Sequence, residues 1–131
     1  MYQGFVKTAV VTPDVRVADP VFNADEILKN IRLCAEQHVK VIVFPELALT
    51  AYTCGDLFLQ SRLLDEARDQ LLRICEETED NDALIFIGLP AEIRGKLYNV
   101  AAVIQAGELL GLVPKTYLPN YNEFYEMRHF T

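Results

Sequence analysis

The sequence predicts a single α/β domain with a mixed β-sheet and helices on one face of that sheet. In the first half, short β-branched runs alternate with amphipathic helical patterns, the order of a strand–helix–strand unit with parallel strands. In the second half, two apolar runs flank Ala106-Gly107, a dipeptide typical of a hairpin, so antiparallel strands should join the same sheet.

The first half of the chain supplies two strands and a helix. Residues 5–11 are apolar and rich in valine, which predicts the first strand. After the turn-forming stretch TPDVRVADP, Asn23 is placed to cap a helix over residues 24–38, whose apolar side chains recur at helical spacing. The run VIVF at 41–44 is short and β-branched, as in a fully buried parallel strand.

The second half supplies another helix and three strands. An apolar stripe with charges on the opposite face predicts a helix over residues 57–78. The run ALIFIGLP at 83–90 predicts a buried strand, and residues 97–105 and 108–114 predict the two arms of the hairpin.

Composition narrows the classes of function. Half of the 131 residues are apolar (51%), enough to bury a core, and the net charge of −7 argues against nucleic-acid binding because phosphate recognition needs a basic surface. No apolar run approaches the roughly 20 residues that span a bilayer, and the N-terminus lacks the pattern of a signal peptide. We therefore expect a cytoplasmic protein without a membrane or nucleic-acid partner.

The three cysteines are expected to be reduced thiols. Cys34 and Cys75 fall within helical patterns, and Cys54 falls in a loop. None has the paired spacing of a zinc site or a redox motif, so no metal site is expected, and the roles of the three thiols stay open.

Two charged residues stand at predicted strand ends, where active sites of α/β sheets collect. Glu46 follows the run VIVFP, and Lys115 follows ELLGLVP. A carboxylate among apolar neighbours could act as a general base, and a fixed ammonium could stabilise an oxyanion. Taken singly, Glu46 could equally be a loop or capping residue and Lys115 a surface lysine. No cysteine follows Cys75, so the pair lacks an evident nucleophile.

The segments around these residues resemble the nitrilase, or carbon–nitrogen hydrolase, superfamily. FPELALTAYTCGDLF (44–58) and PKTYLPNYNEFYEMRHF (114–130) are similar, more specifically, to the glutaminase domains of glutamine-dependent NAD synthetases. The resemblance implies a partial αββα sandwich, with residues 1–131 as the N-terminal portion of one glutaminase domain and no second domain present.

The resemblance also implies roles for individual residues. Glu46 matches the family's general base, and Lys115 matches the lysine that stabilises the tetrahedral intermediate. Glu123 matches an auxiliary glutamate that orients the substrate or Lys115. The family's nucleophilic cysteine would lie beyond Thr131. The positions that line the glutamine pocket in this family correspond to Tyr52, Tyr121 and Phe124, although such aromatic residues could instead pack in the core.

The activity implied is glutamine hydrolysis that supplies ammonia for making NAD from deamido-NAD, ATP and glutamine. No cofactor is expected in this region, since ATP and Mg would be used by a synthetase domain outside it. Homo-oligomers are expected, and this region alone is expected to be inactive without the cysteine.

Three alternatives remain open at the level of sequence. The chain could belong to another nitrilase-family amidase or carbamoylase. It could be a nitrilase-like interaction domain without catalytic activity. It could also be a flavodoxin-like binding module, which requires a parallel sheet throughout, so the predicted hairpin at Gly107 distinguishes that alternative.

Overall fold

The computed structural model describes residues 3–131, which form one five-stranded sheet with two helices. The strands lie side by side in chain order: β1 (Thr8–Val10), β2 (Val41–Val43), β3 (Leu84–Ile93), β4 (Lys96–Gln105) and β5 (Glu108–Pro114). The helices are α1 (Pro20–Glu36) and α2 (Ser61–Glu77). A first 3₁₀ helix covers Gly55–Leu59, and a second 3₁₀ helix covers Glu126–Arg128.

The sheet is mixed, as the sequence predicts. Strands β1, β2 and β3 are parallel, and β3, β4 and β5 are antiparallel. Two-residue turns at Arg94-Gly95 and Ala106-Gly107 join the last three strands, and all four residues have positive φ. Such turns match the twist of antiparallel strands. The hairpin predicted at Gly107 is confirmed, and the flavodoxin-like alternative is wrong because three strands are antiparallel.

Both helices cover the same face of the sheet. Ile42, Ile85 and Ile104 are aligned across three strands, and each is fully buried in one core with the apolar faces of α1 and α2. One residue further along β2, Val43 points to the opposite face because side chains alternate along a strand. Val43 is 38% exposed. The sheet therefore has one face covered by helices and one open face.

Helix α1 begins earlier than the sequence pattern predicts, and Asn23 is not its cap. Asp19 caps the helix by accepting a hydrogen bond from the Phe22 backbone N–H at 3.1 Å, and Pro20 occupies the first turn. Proline suits that position because its missing N–H would have no partner there. Asn23 lies inside the helix, where its buried amide donates to the Leu49 backbone oxygen at 3.0 Å.

The other boundaries shift by a few residues. Helix α2 starts at Ser61 because residues Gly55–Leu59 form a separate 3₁₀ helix. Strand β3 continues to Ile93, directly before the Arg94-Gly95 turn, which the sequence did not predict. None of the helices within residues 3–131 has the length and apolar character needed to cross a bilayer.

Candidate active site

The two charged residues at strand ends meet at one edge of the sheet. Strands β2 and β5 run in the same direction, because β2 is parallel to β3 and two antiparallel pairings separate β3 from β5. Their carboxyl ends therefore lie on the same side. There Lys115 Nζ donates a hydrogen bond to Glu46 Oε1 at 2.8 Å.

Buried packing fixes the Glu46 loop, which we define as residues 44–54. Leu47 and Leu49 are fully buried, and Leu47 adopts a positive φ of 51°. The loop passes directly over β3 at Gly88. A Cβ on Gly88 would lie 2.6 Å from the Pro45 carbonyl oxygen, so only glycine leaves room for this path. The position of Glu46 thus depends on the absence of a side chain on the neighbouring strand.

Asn99 on β4 connects the two charged residues. Its Nδ2 donates to Glu46 Oε1 at 2.6 Å, and its backbone oxygen accepts from the Lys115 backbone N–H at 2.8 Å. Asn99 is 4% exposed. Sequence reasoning missed this residue, although an isolated asparagine within the apolar run LYNVAAVIQ is a usable signal, because buried amides need specific partners.

Glu126 is the second carboxylate that contacts Lys115. Its Oε1 accepts from Lys115 Nζ at 3.1 Å and from the Tyr52 hydroxyl at 2.7 Å. Only 5% of Glu126 is exposed, and its Oε2 is buried without a hydrogen-bond partner among residues 3–131.

The second glutamate near Lys115 in this structure is Glu126, and not the predicted Glu123. Glu123 is exposed, and no hydrogen bond or ion pair joins it to Lys115 in the described part of the chain. Both glutamates stand in the same aromatic stretch, NEFYEMRHF, where no apolar period marks one as buried. The role of Glu123 in orienting substrate or Lys115 stays a prediction.

Electrostatics keep Lys115 charged and Tyr52 neutral. Burial opposes the charge of Lys115, but hydrogen bonds to Glu46 and Glu126 outweigh it and raise the pKa of the ammonium. Burial of the Tyr52 hydroxyl and its hydrogen bond to Glu126 raise the pKa of the phenol. Glu46 is less enclosed than the sequence suggests, since 41% of its side chain is exposed.

The three aromatic residues predicted to line a substrate pocket lie in a row. The rings of Tyr52 and Phe124 are 6.5 Å apart, and those of Phe124 and Tyr121 are 5.7 Å apart, both in edge-to-face geometry. Tyr121 is 64% exposed and so does not pack in the core. The substrate-binding role of the three residues stays a prediction.

A cleft of 390 Å³ opens beside the polar cluster, on the open face of the sheet. Glu46, Asn99 and Lys115 line it together with apolar side chains of the sheet, including Val43 and Val113. This volume lies within the range of small-molecule sites, about 300–1,000 Å³. A carboxylate and an ammonium at such a cleft can move a proton and stabilise a developing negative charge.

The three cysteines are buried free thiols. Cys34 and Cys75 lie in α1 and α2. Cys54 donates to the Thr50 backbone oxygen at 3.0 Å, and burial raises the pKa of its thiol, which disfavours the thiolate that a nucleophile needs. Within residues 3–131, no group of three or more histidine, cysteine, aspartate or glutamate side chains is arranged to hold a metal.

A family model described as carbon–nitrogen hydrolase matches residues 7–131. This chain belongs to the carbon–nitrogen hydrolase family. The chain is 42% identical over 125 residues to the glutamine-dependent NAD(+) synthetase of Mycobacterium tuberculosis. It is 40% identical over 114 residues to that of Aquifex aeolicus. These matches cover 95% and 87% of the chain but only 18% and 20% of the relatives. The chain therefore spans about a fifth of their length.

Solved structures share the fold of this chain. A glutamine-dependent NAD(+) synthetase from Cytophaga hutchinsonii superposes with a TM-score of 0.90 at 28% identity, covering 96% of this chain and 21% of that one. An amidase from Nesterenkonia sp. superposes with a TM-score of 0.79 at 24% identity, covering 96% and 47%, and this second likeness shows the fold alone.

Proposed function

We propose that this chain is part of a glutamine amidohydrolase that supplies ammonia for NAD synthesis, with Glu46 as general base and Lys115 as oxyanion-stabilising cation. The observation that carries the proposal is the 2.8 Å contact between Lys115 Nζ and Glu46 Oε1 beside a small-molecule cleft. Similarity to glutamine-dependent NAD(+) synthetases supports glutamine as the substrate.

In the proposed reaction, Glu46 takes the proton of a cysteine thiol supplied by polypeptide outside residues 1–131. The thiolate attacks the glutamine amide carbon, and Lys115 stabilises the resulting oxyanion. Collapse of the intermediate breaks the carbon–nitrogen bond, and the amide nitrogen leaves as ammonia with the proton that Glu46 returns. Water, deprotonated by Glu46, then hydrolyses the thioester to glutamate and restores the thiol.

The remaining parts of the proposal concern groups outside this region. Residues 1–131 form part of one glutaminase domain and bind no cofactor of their own. A synthetase domain elsewhere in the polypeptide uses ATP and Mg to convert deamido-NAD, and the enzyme is a cytoplasmic homo-oligomer. The aromatic row of Tyr52, Phe124 and Tyr121 lies beside Glu126 and is proposed to line the glutamine pocket.

The test compares glutamine and ammonium salts as nitrogen donors for NAD formation by the full-length polypeptide. We expect Glu46→Gln and Lys115→Met each to lower the glutamine-dependent rate by about 100-fold or more, since positioned acid–base groups contribute at this scale. The ammonia-dependent rate should differ from that of the unaltered polypeptide by less than about twofold, because no amide bond is broken when ammonia is the nitrogen donor.

A matched control is Asp82→Asn, which removes an exposed ion pair with Lys40 outside the candidate site. It should leave both rates unchanged. Equal loss of both activities in the Glu46 and Lys115 variants would contradict the proposal. Turnover of small aliphatic amides with no turnover of glutamine would instead support the amidase alternative.

Residues 1–131 alone should release no ammonia from glutamine, because the three thiols are buried and none contacts Glu46 or Lys115 among the described residues. Turnover by this region that Glu46→Gln abolishes would overturn that expectation and would point to one of these three thiols as the nucleophile.

A further inference from the structure

An exposed polar cluster lies next to the candidate site and joins the two 3₁₀ helices. Asp56 in the first 3₁₀ helix accepts two hydrogen bonds from Arg128 in the second, at 2.9 Å and 3.1 Å. His129 Nε2 lies 3.1 Å from the same carboxylate. The Arg128 guanidinium engages both carboxylate oxygens, the two-point geometry that fixes orientation as well as distance.

Each of the two helices carries or adjoins a residue of the candidate site. The second begins with Glu126, whose carboxylate contacts Lys115 and Tyr52. The first follows the Glu46 loop, which contains Tyr52. The ion pair of Asp56 with Arg128 therefore links the two 3₁₀ helices, and the second of these carries the Glu126 carboxylate.

Much of the stretch between Lys115 and Glu126 is exposed. Tyr117 is 89% exposed, and Tyr121 is 64% exposed. Beyond Glu126, Phe130 is buried and packs on Phe58 of the first 3₁₀ helix with ring centres 5.1 Å apart. The ring contact of His129 with Phe58 and the hydrogen bond from the Thr131 backbone N–H to the Leu97 oxygen at 2.8 Å anchor the same end of the segment. The Asp56–Arg128 pair adds a two-point ionic contact between the second 3₁₀ helix and the first.

We propose that Asp56 and Arg128 are positioning residues that act through Glu126: their ion pair sets the orientation of the second 3₁₀ helix and so holds the Glu126 carboxylate against Lys115 and Tyr52. Neither residue touches the cleft, so the effect on chemistry is indirect. Its catalytic consequence rests on the proposed glutaminase function, whereas its structural consequence does not.

The first test measures structure without activity. Amide hydrogen exchange of residues 119–131 in Asp56→Asn should be faster by about threefold or more than in the unaltered chain, because a contact that opposes local opening is lost. Chemical labelling of the Lys115 amine across pH should show a lower pKa, as the hydrogen bond from Lys115 to Glu126 weakens. The pair-removing control Asp82→Asn loses the same charge outside the candidate site and should change neither readout.

Rescue variants separate the ion pair from general destabilisation. Asp56→Glu keeps the charge and should restore the exchange rates and the labelling profile to near those of the unaltered chain. The double exchange Asp56→Arg with Arg128→Asp reverses the pair and should restore them in part, while Arg128→Gln alone should behave like Asp56→Asn. Unchanged exchange and labelling in Asp56→Asn would overturn the proposal.

The second test uses glutamine turnover by the full-length polypeptide. Asp56→Asn should lower kcat by about threefold to tenfold with little change in KM. A displaced positioning group reduces the stabilisation of the transition state more than the binding of the substrate. Absence of turnover in the unaltered polypeptide would refute the glutaminase proposal alone, since hydrogen exchange and labelling still decide the role of Asp56 and Arg128. A rise in KM with unchanged kcat would show that Asp56 acts on substrate binding and would overturn the positioning role.

Discussion

The Glu46 loop and the segment that follows Lys115 are held in place by different forces. In the Glu46 loop, Leu47, Leu49 and Thr50 are fully buried, and the backbone lies directly against Gly88. After Lys115, by contrast, Tyr117 is 89% exposed. Apolar packing thus positions the carboxylate, whereas a few polar contacts position the ammonium.

The difference suggests how each half of the site can be disturbed. Packed loops respond to volume, because interiors lack room for even one added methyl group. Exposed segments tolerate added volume but respond to the loss of a specific partner. For Lys115 those partners are Glu46, Glu126 and the backbone of Asn99.

The largest effect is expected from Gly88→Ala. The new Cβ would lie 2.6 Å from the Pro45 carbonyl oxygen, and the nearest atoms are all backbone of the Glu46 loop, so no flexible side chain can move away. We expect the free energy of unfolding to fall by about 3 kcal/mol, the upper part of the range for overpacked sites. Urea unfolding followed by circular dichroism measures this.

Gly111→Ala is the matched control for Gly88→Ala. Gly111 also lies in a strand of the same sheet, but a Cβ there meets no atom within 4 Å. The free energy of unfolding should change by less than about 0.5 kcal/mol. Equal effects of the two substitutions would show that close backbone packing does not fix the Glu46 loop.

The parts of the fold that follow from local chemistry were predictable from sequence. The turn at Ala106-Gly107 was identified because few residue pairs suit two successive positive φ angles. The convergence of Glu46 and Lys115 followed from their places at strand ends. The turn at Arg94-Gly95 was missed because charged residues on either side hide the alternation of the flanking strands.

The contacts that complete the site were not predictable because they depend on tertiary structure. Asn99 and Glu126 reach Glu46 and Lys115 from 53 and 11 residues away in sequence, and no local period indicates such contacts. The prediction that Asn23 caps α1 was wrong for a different reason. Asp19-Pro20 is the stronger helix start, and Asn23 is used instead to hold the Glu46 loop through the Leu49 backbone.

Glu126→Gln is expected to have a smaller effect, a change in the pKa of the Lys115 amine. Removing this charge takes away one of the two carboxylates that raise the pKa of Lys115, so that pKa should fall while burial continues to lower it. Labelling of the Lys115 amine across pH measures the shift. Glu123→Gln removes an equal charge three positions earlier and should leave the profile unchanged. A fall in both variants would contradict a specific role of Glu126 in raising the pKa of Lys115.

The smallest effect is expected from Tyr52→Phe and is visible only at high pH. Burial of the hydroxyl and its hydrogen bond to Glu126 raise the pKa of Tyr52. The phenol of the unfolded chain has a pKa of about 10. The folded state therefore keeps this proton at pH values where the unfolded chain loses it. The resulting stability is complete below the unfolded pKa and is lost as the pH rises towards the folded pKa.

Tyrosinate absorbance should therefore show one late-titrating phenol in the unaltered chain that is missing from Tyr52→Phe. The free energy of unfolding, measured by urea between about pH 9 and pH 11, should fall more steeply with pH in the unaltered chain than in the variant. Parallel slopes would mean that the Tyr52 hydroxyl is open to water. The 2.7 Å contact with Glu126 would then contribute nothing to holding the Lys115 side of the site against the packed Glu46 loop.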